Sequence, residues 1–225
     1  MKAMILAAGF GKRLAPLTDK IPKPLLEVGG QSLIQRNINH LINSGFSEII
    51  INVSHHADQV IKHIKETFPN IDILFSIEDE PLGTGGGILN ALPMIGTKPF
   101  LLMNSDIFHE IDIKNLPQNV QAAHLVGVPN PNHNSKGDFN IKNNLIEVKD
   151  ENNELTWSGI SVINPIIFNQ NNFTCKSFNI WDTILPNYIN EGVVSGQETL
   201  DLWIDVGTLE RLKLANSVYN ENKYE

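Results

Sequence analysis

The sequence contains 225 residues, of which 41% are hydrophobic and 19% are charged, and its formal net charge is −8. This composition is ordinary for a globular protein large enough to be an enzyme. The acidic charge disfavours a nucleic-acid-binding surface, because such surfaces neutralise phosphates with cations. The sequence shows neither a signal-peptide pattern nor an apolar run of about 18 residues. We therefore expect a cytoplasmic monomer or small homo-oligomer that binds neither nucleic acid nor membrane.

Cysteine and histidine contribute little to the functional interpretation. The single cysteine, Cys175, excludes a disulfide framework within the chain, and no histidine motif near it suggests catalysis. His55, His56 and His63 fall near one predicted helix. Transition-metal binding is one interpretation of this cluster, and a surface helix start is the interpretation that we favour.

The first half of the chain alternates strands and helices. The apolar patterns predict strands at residues 4–8, 48–53, 71–77 and 100–103, and helices at residues 32–44, 58–68 and 87–92, the last limited by Pro93. Such alternation predicts a parallel sheet with right-handed crossovers. Ligands of such sheets bind beyond the carboxyl ends of the strands, where the loop after Ala8 and the triplet at Asn104 both fall.

The second half has a different pattern. Strands are predicted at residues 122–128, 145–149, 155–163, 193–195 and 200–204, and helices at residues 181–190 and 208–219. We expect this half to extend the same sheet and to cover a second ligand. The asparagine-rich segments 130–134 and 169–172 predict exposed loops.

A glycine-rich loop with nearby cations is the strongest functional signal. Gly9 and Gly11 lack β-carbons, so that backbone N–H groups can approach phosphate oxygens closely. Arg13 can hold phosphate with two donors, and Lys23 lies between two prolines that fix its backbone. Leu14 stands where a dinucleotide-binding fingerprint needs its third glycine, and the spacing of a Walker A loop is absent. A plain strand-to-helix turn explains the glycines but not the cations.

Two distant aspartates follow apolar strands. Asp106 ends the triplet Asn-Ser-Asp, and Asp205 lies in Trp-Ile-Asp-Val-Gly-Thr. One or two carboxylates, completed by substrate phosphates and water, are the usual protein ligands of magnesium. Each aspartate alone is equally consistent with the cap of a turn or helix.

The segment after the third strand contains acids and glycines suited to a planar base. Uracil and thymine present an N3–H donor, which the carboxylate of Glu78 or Glu80 could accept. A solvated acidic loop is the alternative for these two glutamates.

Together these motifs resemble the sugar nucleotidyltransferase family. The resemblance covers Gly-x-Gly-x-Arg, Pro-Leu-Thr, Pro-Lys-Pro and Trp-x-Asp-x-Gly-Thr, while Ser105 stands where relatives usually carry glycine. It implies an α/β fold of the Rossmann-like three-layer αβα type, with a mixed, mainly parallel sheet. It also implies a single domain over residues 1–225, with a nucleotide-binding half at 1–110 and a sugar-binding half at 111–225.

The resemblance further implies roles for individual residues. Lys23 and Arg13 would be catalytic, and Asp106 and Asp205 would hold Mg²⁺. Contacts to the nucleotide are implied for Ala8, Gly9, Gly11, Lys12, Arg13, Lys23, Glu78, Gly83 and Thr84. Contacts to the sugar are implied for Asn104, Glu147, Gly159 and Asp182, whereas Trp157 and Trp181 fit a core role equally well.

The implied reaction joins a nucleoside triphosphate to a sugar 1-phosphate and releases pyrophosphate. Glu80-Pro81-Leu82 before Thr84-Gly85-Gly86-Gly87, and the short C-terminus, resemble members that use UTP and N-acetylmuramate α-1-phosphate in peptidoglycan recycling. The alternatives are thymidylyl or guanylyl transfer to glucose or mannose 1-phosphate, cytidylyl transfer to phosphocholine, and a non-catalytic regulatory protein that binds nucleotide sugars.

Overall fold

The structure is a computed structural model that describes residues 1–169 and 176–222, so Cys175 lies outside the described residues. Its first half comprises β1 (Ala3–Leu6), β2 (Glu27–Val28), β3 (Gln31–Ser32), α1 (Leu33–Asn43), β4 (Ile49–Val53), α2 (Ala57–Thr67), β5 (Ile73–Ile77), α3 (Gly83–Ile95), β6 (Phe100–Asn104) and β7 (Ile107–His109). The second half comprises β8 (Ala123–Pro129), β9 (Asn140–Lys142), β10 (Leu145–Glu147), β11 (Leu155–Ile163), α4 (Ile180–Thr183), α5 (Leu185–Asn190), β12 (Val194–Glu198), β13 (Trp203–Asp205) and α6 (Leu209–Asn222).

Nine strands form one sheet in the order β5-β4-β1-β6-β11-β8-β12-β10-β9. The strands β5, β4, β1 and β6 are mutually parallel, and β11 runs antiparallel to both β6 and β8. The second half therefore extends the sheet of the first, as the sequence predicts, and the mixed, mainly parallel sheet is confirmed.

Hydrophobic residues cover both faces of this sheet. Alternate residues of β1, β4 and β6 point to opposite faces, because successive side chains of a strand alternate. One face packs against α1 and α2 through Ile34, Ile38, Leu41, Val60 and Ile64. The other packs against α3, α4 and α5 through Ile88, Ala91, Ile180, Ile184 and Leu185. The result is the predicted three-layer αβα arrangement.

A separate two-stranded antiparallel sheet joins β7 and β13. Its register pairs Asp205 with Ile107, and the backbone N–H of Val206 donates to the carbonyl of Asp106 at 2.8 Å. This pairing brings together two chain segments that are about a hundred positions apart, and so it places Asp106 beside Asp205.

The predicted bounds of α3 are wrong at both ends. The helix begins at Gly83 instead of residue 87, and it continues past Pro93 to Ile95. Its glycines are helical because a segment of the second half packs directly on them: a β-carbon at Gly86 would lie 2.3 Å from the Lys176 carbonyl oxygen. At the other end, burial of Ile95 anchors the last turn in the core.

Two further predictions are wrong in detail. The helix predicted at residues 181–190 is two short helices, which meet at Ile184. The strand predicted at residues 200–204 is limited to Trp203–Asp205, because Thr199 and Asp201 form a hydrogen-bonded turn and Leu200 is 82% exposed. Within the described ranges, every helix is too short or too polar to cross a lipid bilayer.

Candidate active site

A first cavity of about 370 Å³ lies beyond the carboxyl ends of β1 and β6, whose last residues Leu6 and Asn104 are paired. It is lined by Leu6, Ala7, Ala8, Gly9, Gly11, Lys12, Arg13, Lys23, Pro24, Asn52, Pro81, Gly83, Thr84, Asn104, Ser105, Asp106, Asn179 and Gly207. The glycine-rich loop, its cations and the start of α3 thus share one cavity. Of the residues predicted to contact the nucleotide, only Glu78 does not line it.

The two glycines of the loop serve different geometric needs. Gly11 has φ +66, and a β-carbon there would lie 2.9 Å from Cγ2 of Thr18. The Thr18 hydroxyl also donates to the Gly11 carbonyl at 3.0 Å, which closes the loop. A β-carbon at Gly9, in contrast, would meet nothing within 4 Å. Gly9 is therefore not required by the fold, and its missing side chain leaves room in the cavity.

Glu78 is buried behind the cavity and accepts hydrogen bonds from two other residues there. One carboxylate oxygen accepts from the Asn52 side chain at 2.7 Å, and the other accepts from the backbone of Leu82 at 2.9 Å. Asn52 in turn accepts from the backbone N–H of Ala7 at 2.8 Å. Burial raises the pKa of Glu78, while the bonds to Leu82 and Asn52 oppose that rise. Because both oxygens are engaged within the protein, the structure gives no support to the predicted contact of Glu78 with the base, which stays a prediction.

Asp106 and Asp205 each carry a basic partner on one oxygen. Oδ2 of Asp106 forms an ion pair with Lys23, whose side chain is only 12% exposed. Oδ2 of Asp205 accepts from Nη1 of Arg211 at 2.8 Å and lies 3.6 Å from Nε2 of His133. Among the described residues, Oδ1 of either aspartate accepts no hydrogen bond.

Arg13 joins this group of charges from the glycine-rich loop. Its Nη2 lies 2.9 Å from the position that a β-carbon of Gly207 would take, and Oδ1 of Asp205 lies 3.0 Å from the same point. Arg13 and Asp106 line the first cavity and also a second cavity that adjoins it. The predicted cations and the predicted metal ligands therefore converge in space.

The donor set fits a divalent ion of the magnesium type. Two carboxylates with one unpaired oxygen each can supply two hard ligands, and phosphate oxygens and water complete such shells. No group of three or more His, Cys, Asp or Glu side chains suited to a metal ion occurs in residues 1–169 and 176–222. His63 instead contacts the Ser32 hydroxyl at 2.8 Å and links α2 to α1.

A second cavity of about 400 Å³ adjoins the first and shares Arg13, Asn104 and Asp106 with it. Its other lining residues are Ile107, His133, Asn134, Asp138, Thr156, Trp157, Ser158, Trp203 and Asp205. Each cavity draws residues from both predicted halves of the chain. The division at residue 110 therefore does not separate the two cavities.

Hydrogen bonds hold the polar wall of the second cavity in place. Asp138 accepts from the backbone N–H of Trp157 at 2.8 Å and from the Asn134 side chain at 3.0 Å. The Asn134 amide also donates to the Thr156 hydroxyl at 3.0 Å, and that hydroxyl donates to Asn130 at 2.9 Å. Such fixed donors and acceptors suit a ligand rich in hydroxyl groups.

Sequence reasoning missed this wall. The sequence predicts an exposed loop over residues 130–134, but Asn130 and Asn134 are half-buried and hydrogen-bonded. Composition gives no signal for such a role, because the same asparagines are typical of solvated turns. The other predicted exposed loop, at 169–172, lies outside the described residues from position 170 onward.

Of the residues predicted to contact the sugar, only Asn104 lines the first or the second cavity. Asn104 lines both cavities, and a β-carbon at Gly159 would lie 2.4 Å from its amide nitrogen. Glu147 is exposed on β10 and lies 3.6 Å from Lys142, and Asp182 is exposed beside Asn179. Neither residue lines the first or the second cavity, so their sugar-binding roles stay predictions without structural support. Trp157 lines the second cavity and packs on Trp181, with ring centroids 5.7 Å apart.

Comparison with known proteins gives the class of this chain. The family model described as nucleotidyl transferase matches residues 2–222. The chain is 38% identical over 231 residues to an N-acetylmuramate alpha-1-phosphate uridylyltransferase of Neisseria meningitidis, and the match covers 97% of this chain and 98% of that protein. The chain therefore belongs to the nucleotidyl transferase family, and it is a sugar-1-phosphate nucleotidyltransferase.

Other similar proteins carry names or bound molecules that point to different nucleotides and sugars. A mannose-1-phosphate guanyltransferase of Aspergillus oryzae is 30% identical over 227 residues, and the match spans 61% of that longer protein. The crystal structure of HddC from Yersinia pseudotuberculosis complexed with GMP-PN superposes with a TM-score of 0.81 at 27% identity and covers 97% of this chain and 99% of that one. A putative glucose-1-phosphate thymidylyltransferase from Bacillus anthracis shares the fold, with a TM-score of 0.84 at 23% identity over 97% of this chain and 94% of that one.

Proposed function

We propose that this enzyme transfers uridylyl from UTP to N-acetylmuramate α-1-phosphate, with Mg²⁺ as cofactor, and so forms UDP-N-acetylmuramate for peptidoglycan recycling. The observation that carries the proposal is the convergence of Arg13, Lys23, Asp106 and Asp205 where the two cavities meet. The choice of substrates is supported by the relative from Neisseria meningitidis, which matches over nearly the full length of both chains.

The reaction is an in-line displacement at the α-phosphorus of the triphosphate. A phosphate oxygen of the sugar 1-phosphate forms the new P–O bond, the bond to the bridging oxygen breaks, and pyrophosphate leaves with that electron pair. Because the second pKa of a phosphate monoester is near ~6, the attacking group is already ionised at neutral pH. No residue therefore has to remove a proton from the attacking group.

The barrier that the protein must lower is electrostatic. Two like charges about 4 Å apart repel by roughly 4 kcal/mol at an effective dielectric constant near 20, and several such pairs form when the substrates meet. Arg13 faces both cavities and can contact both phosphate groups, while Lys23 faces the first cavity from beside Asp106. These fixed cations offset charge in the transition state without reorganisation. Asp106 and Asp205 would hold Mg²⁺, which would neutralise further charge on the phosphates when bound.

The first cavity is assigned to the nucleotide and the second to the sugar. Gly83 and Thr84 begin α3 at the wall of the first cavity, where backbone groups can contact the edge of a base. Asp138, Asn134 and Thr156 offer hydrogen-bonding groups to sugar hydroxyls in the second.

A panel of substrates tests this proposal in one assay. Pyrophosphate release is measured with UTP, GTP, dTTP and CTP, each combined with N-acetylmuramate α-1-phosphate, mannose 1-phosphate, glucose 1-phosphate or phosphocholine. We expect the highest kcat/KM for UTP with N-acetylmuramate α-1-phosphate. Preference for GTP with mannose 1-phosphate would replace the proposed substrates, and binding of nucleotide sugars without any turnover would favour a regulatory protein.

A variant of one proposed metal ligand tests the metal site. Asp205→Asn keeps the shape of the side chain and removes its charge. We expect this variant to lose its magnesium-dependent turnover. Retention of activity at ordinary magnesium concentrations would place the metal site elsewhere.

A further inference from the structure

Arg211 reaches Asp205 from the first turn of α6 and lies in neither cavity lining. Its side chain is 12% exposed, and its backbone N–H donates to the Thr208 hydroxyl at 3.3 Å. Nη1 donates to Oδ2 of Asp205 at 2.8 Å. Arg211 is thus a largely buried cation that lies directly behind one of the two proposed metal ligands.

The guanidinium of Arg211 has a buried donor that disfavours folding. Its Nε is buried and has no hydrogen-bond partner among the described residues. Its Nη2 lies 2.3 Å from the position of a β-carbon at Gly207, so a side chain there would displace the guanidinium. Buried donors without a partner cost free energy and call for an explanation. The contact with Asp205 offers that explanation.

The two carboxylate oxygens of Asp205 have different surroundings. Arg211 and His133 both approach Oδ2, whereas Oδ1 accepts no hydrogen bond from the residues that the structure describes. Asp106 shows the same difference, with Lys23 on Oδ2. Partners of this kind, behind a metal ligand, fix its orientation.

We propose that Arg211 is a positioning residue, which holds Oδ2 of Asp205 so that Oδ1 faces the divalent ion. The inference rests on the proposed function, since it assumes an ion shared by Asp106 and Asp205. Arginine suits the task better than lysine because its planar fork offers Nη1 to the carboxylate while Nη2 packs over Gly207 beside the guanidinium of Arg13.

The test compares Arg211→Met with Lys213→Met, which removes an exposed positive charge two residues later on the same helix. The affinity of the Mn²⁺–UTP complex is measured by calorimetry, without the sugar phosphate, so that no turnover is needed. We expect Arg211→Met to weaken this affinity by about 10- to 100-fold, the usual effect of losing a partner behind a metal ligand. We expect Lys213→Met to stay within about twofold, as for an ordinary surface change.

Loss of charge and loss of positioning make different predictions for two variants. Because the Mn²⁺–UTP complex is a net anion, loss of a positive charge alone would weaken its binding in Arg211→Met but not in Arg211→Lys. We expect Arg211→Lys, which keeps the charge but loses the fork, to weaken the affinity as well. Equal or tighter Mn²⁺–UTP binding in Arg211→Met, with only a lower melting temperature, would overturn the positioning role. Unchanged Mn²⁺–UTP affinity in Arg211→Lys would overturn it equally, also where Arg211→Met does not fold.

The wild-type protein separates this inference from the proposed function. A wild type that binds Mn²⁺–UTP but releases no pyrophosphate with any sugar phosphate would overturn the proposed reaction and leave the Arg211 comparison intact. Conversely, an active wild type beside an Arg211→Met variant of normal Mn²⁺–UTP affinity would overturn the positioning role alone.

Discussion

Lys23 shows how the surrounding structure fixes the position of a cationic side chain before a substrate binds. Pro22 and Pro24 flank it, and the short 3₁₀ helix Lys23–Leu25 fixes its backbone. The side chain is 12% exposed and is paired with Asp106. A lysine held in this way loses little conformational entropy when it binds phosphate. Its position is therefore set before the substrate arrives.

We expect Lys23→Ala to lower kcat by about a hundredfold or more, as removal of other preorganised electrostatic contacts does. Steady-state pyrophosphate release measures the effect, and circular dichroism checks that the fold survives. Lys20→Ala, an exposed lysine in the same segment, is the matched control and should retain its turnover. Near-normal kcat in Lys23→Ala would remove this residue from the mechanism.

The glycines of the loop allow a paired comparison. We expect Gly9→Ala to leave the free energy of unfolding within about 0.5 kcal/mol, since a β-carbon meets no protein atom there. The methyl group would occupy the cavity, so the KM for UTP should rise. Gly11→Ala should instead destabilise the fold by about 1 kcal/mol or more, because φ is +66 at that position. Urea unfolding and KM measurements on both variants check this, and equal stability losses would contradict it.

A buried histidine gives the protein a pH-dependent stability. Burial, together with the nearby His40, lowers the pKa of His109 from 6.5 to about 3. Its Nδ1 accepts from the backbone N–H of Ile111 at 3.2 Å, which requires the neutral ring. The unfolded chain binds a proton below about pH 6.5 and the folded chain does not until about pH 3. The free energy of unfolding therefore falls as the pH falls through that window.

We expect His109→Asn to abolish the proton uptake of the unfolded chain at this position. The asparagine side-chain oxygen can still accept the hydrogen bond from the backbone N–H of Ile111. Between pH 7 and pH 5 one such histidine accounts for about 2 kcal/mol of lost stability. Urea unfolding at the two pH values should thus show a loss that is smaller by about that amount in the variant. The same loss in both proteins would contradict the assignment.

At the scale of elements, α3 shows packing overriding local preference. Glycine disfavours helix interiors, and so the sequence predicts a loop over residues 83–86. In the structure Gly85 and Gly86 are buried against residues 176–180, and Gly85 donates its N–H to the Phe178 carbonyl at 2.9 Å. That segment carries Asn179 to the wall of the first cavity. Close approach of the two segments is possible only without β-carbons.

We expect Gly86→Ala to lower the free energy of unfolding by about 1–3 kcal/mol, the usual cost of overpacking. Its β-carbon would lie 2.3 Å from the Lys176 carbonyl oxygen, which is backbone and cannot rotate away. The displaced segment should also raise the KM for UTP, because Asn179 moves with it. A variant as stable as the wild type in urea would show that the two segments can separate without loss.

What could be predicted from the sequence depends on how local its signal is. The strands β1, β4 and β6 are short buried runs next to turn residues, and their parallel order follows from alternation with helices. In contrast, β7 and β13 have three residues each and exist only because they pair across the chain. No pattern within either segment indicates that the two strands pair with each other. The sequence therefore predicts no strand at β7 and too long a strand at β13.

The candidate site divides in the same way. Gly9, Arg13, Lys23 and the two aspartates could be found because they lie in short contiguous motifs. Asp138, Asn134 and Thr156 could not, because their role arises from hydrogen bonds between a loop and β11. Arg211 lacked a sequence signal as well, since an arginine in the first turn of a surface helix is ordinary.

At the scale of the whole molecule, three distant segments build the site. The glycine-rich loop brings Arg13, the end of β6 leads to Asp106, and β13 brings Asp205 from near the end of the described chain. The fold therefore assembles cations and carboxylates that no single segment contains. Their convergence is what allows two mutually repelling anions to meet.

Crystals soaked with Mn²⁺ and UTP test this convergence most directly, because anomalous scattering locates the ion independently of the protein atoms. We expect one strong peak between Oδ1 of Asp106 and Oδ1 of Asp205, with the triphosphate held between Arg13 and Lys23. A principal peak at His55, His56 or His63, or a triphosphate bound away from both cations, would contradict the account.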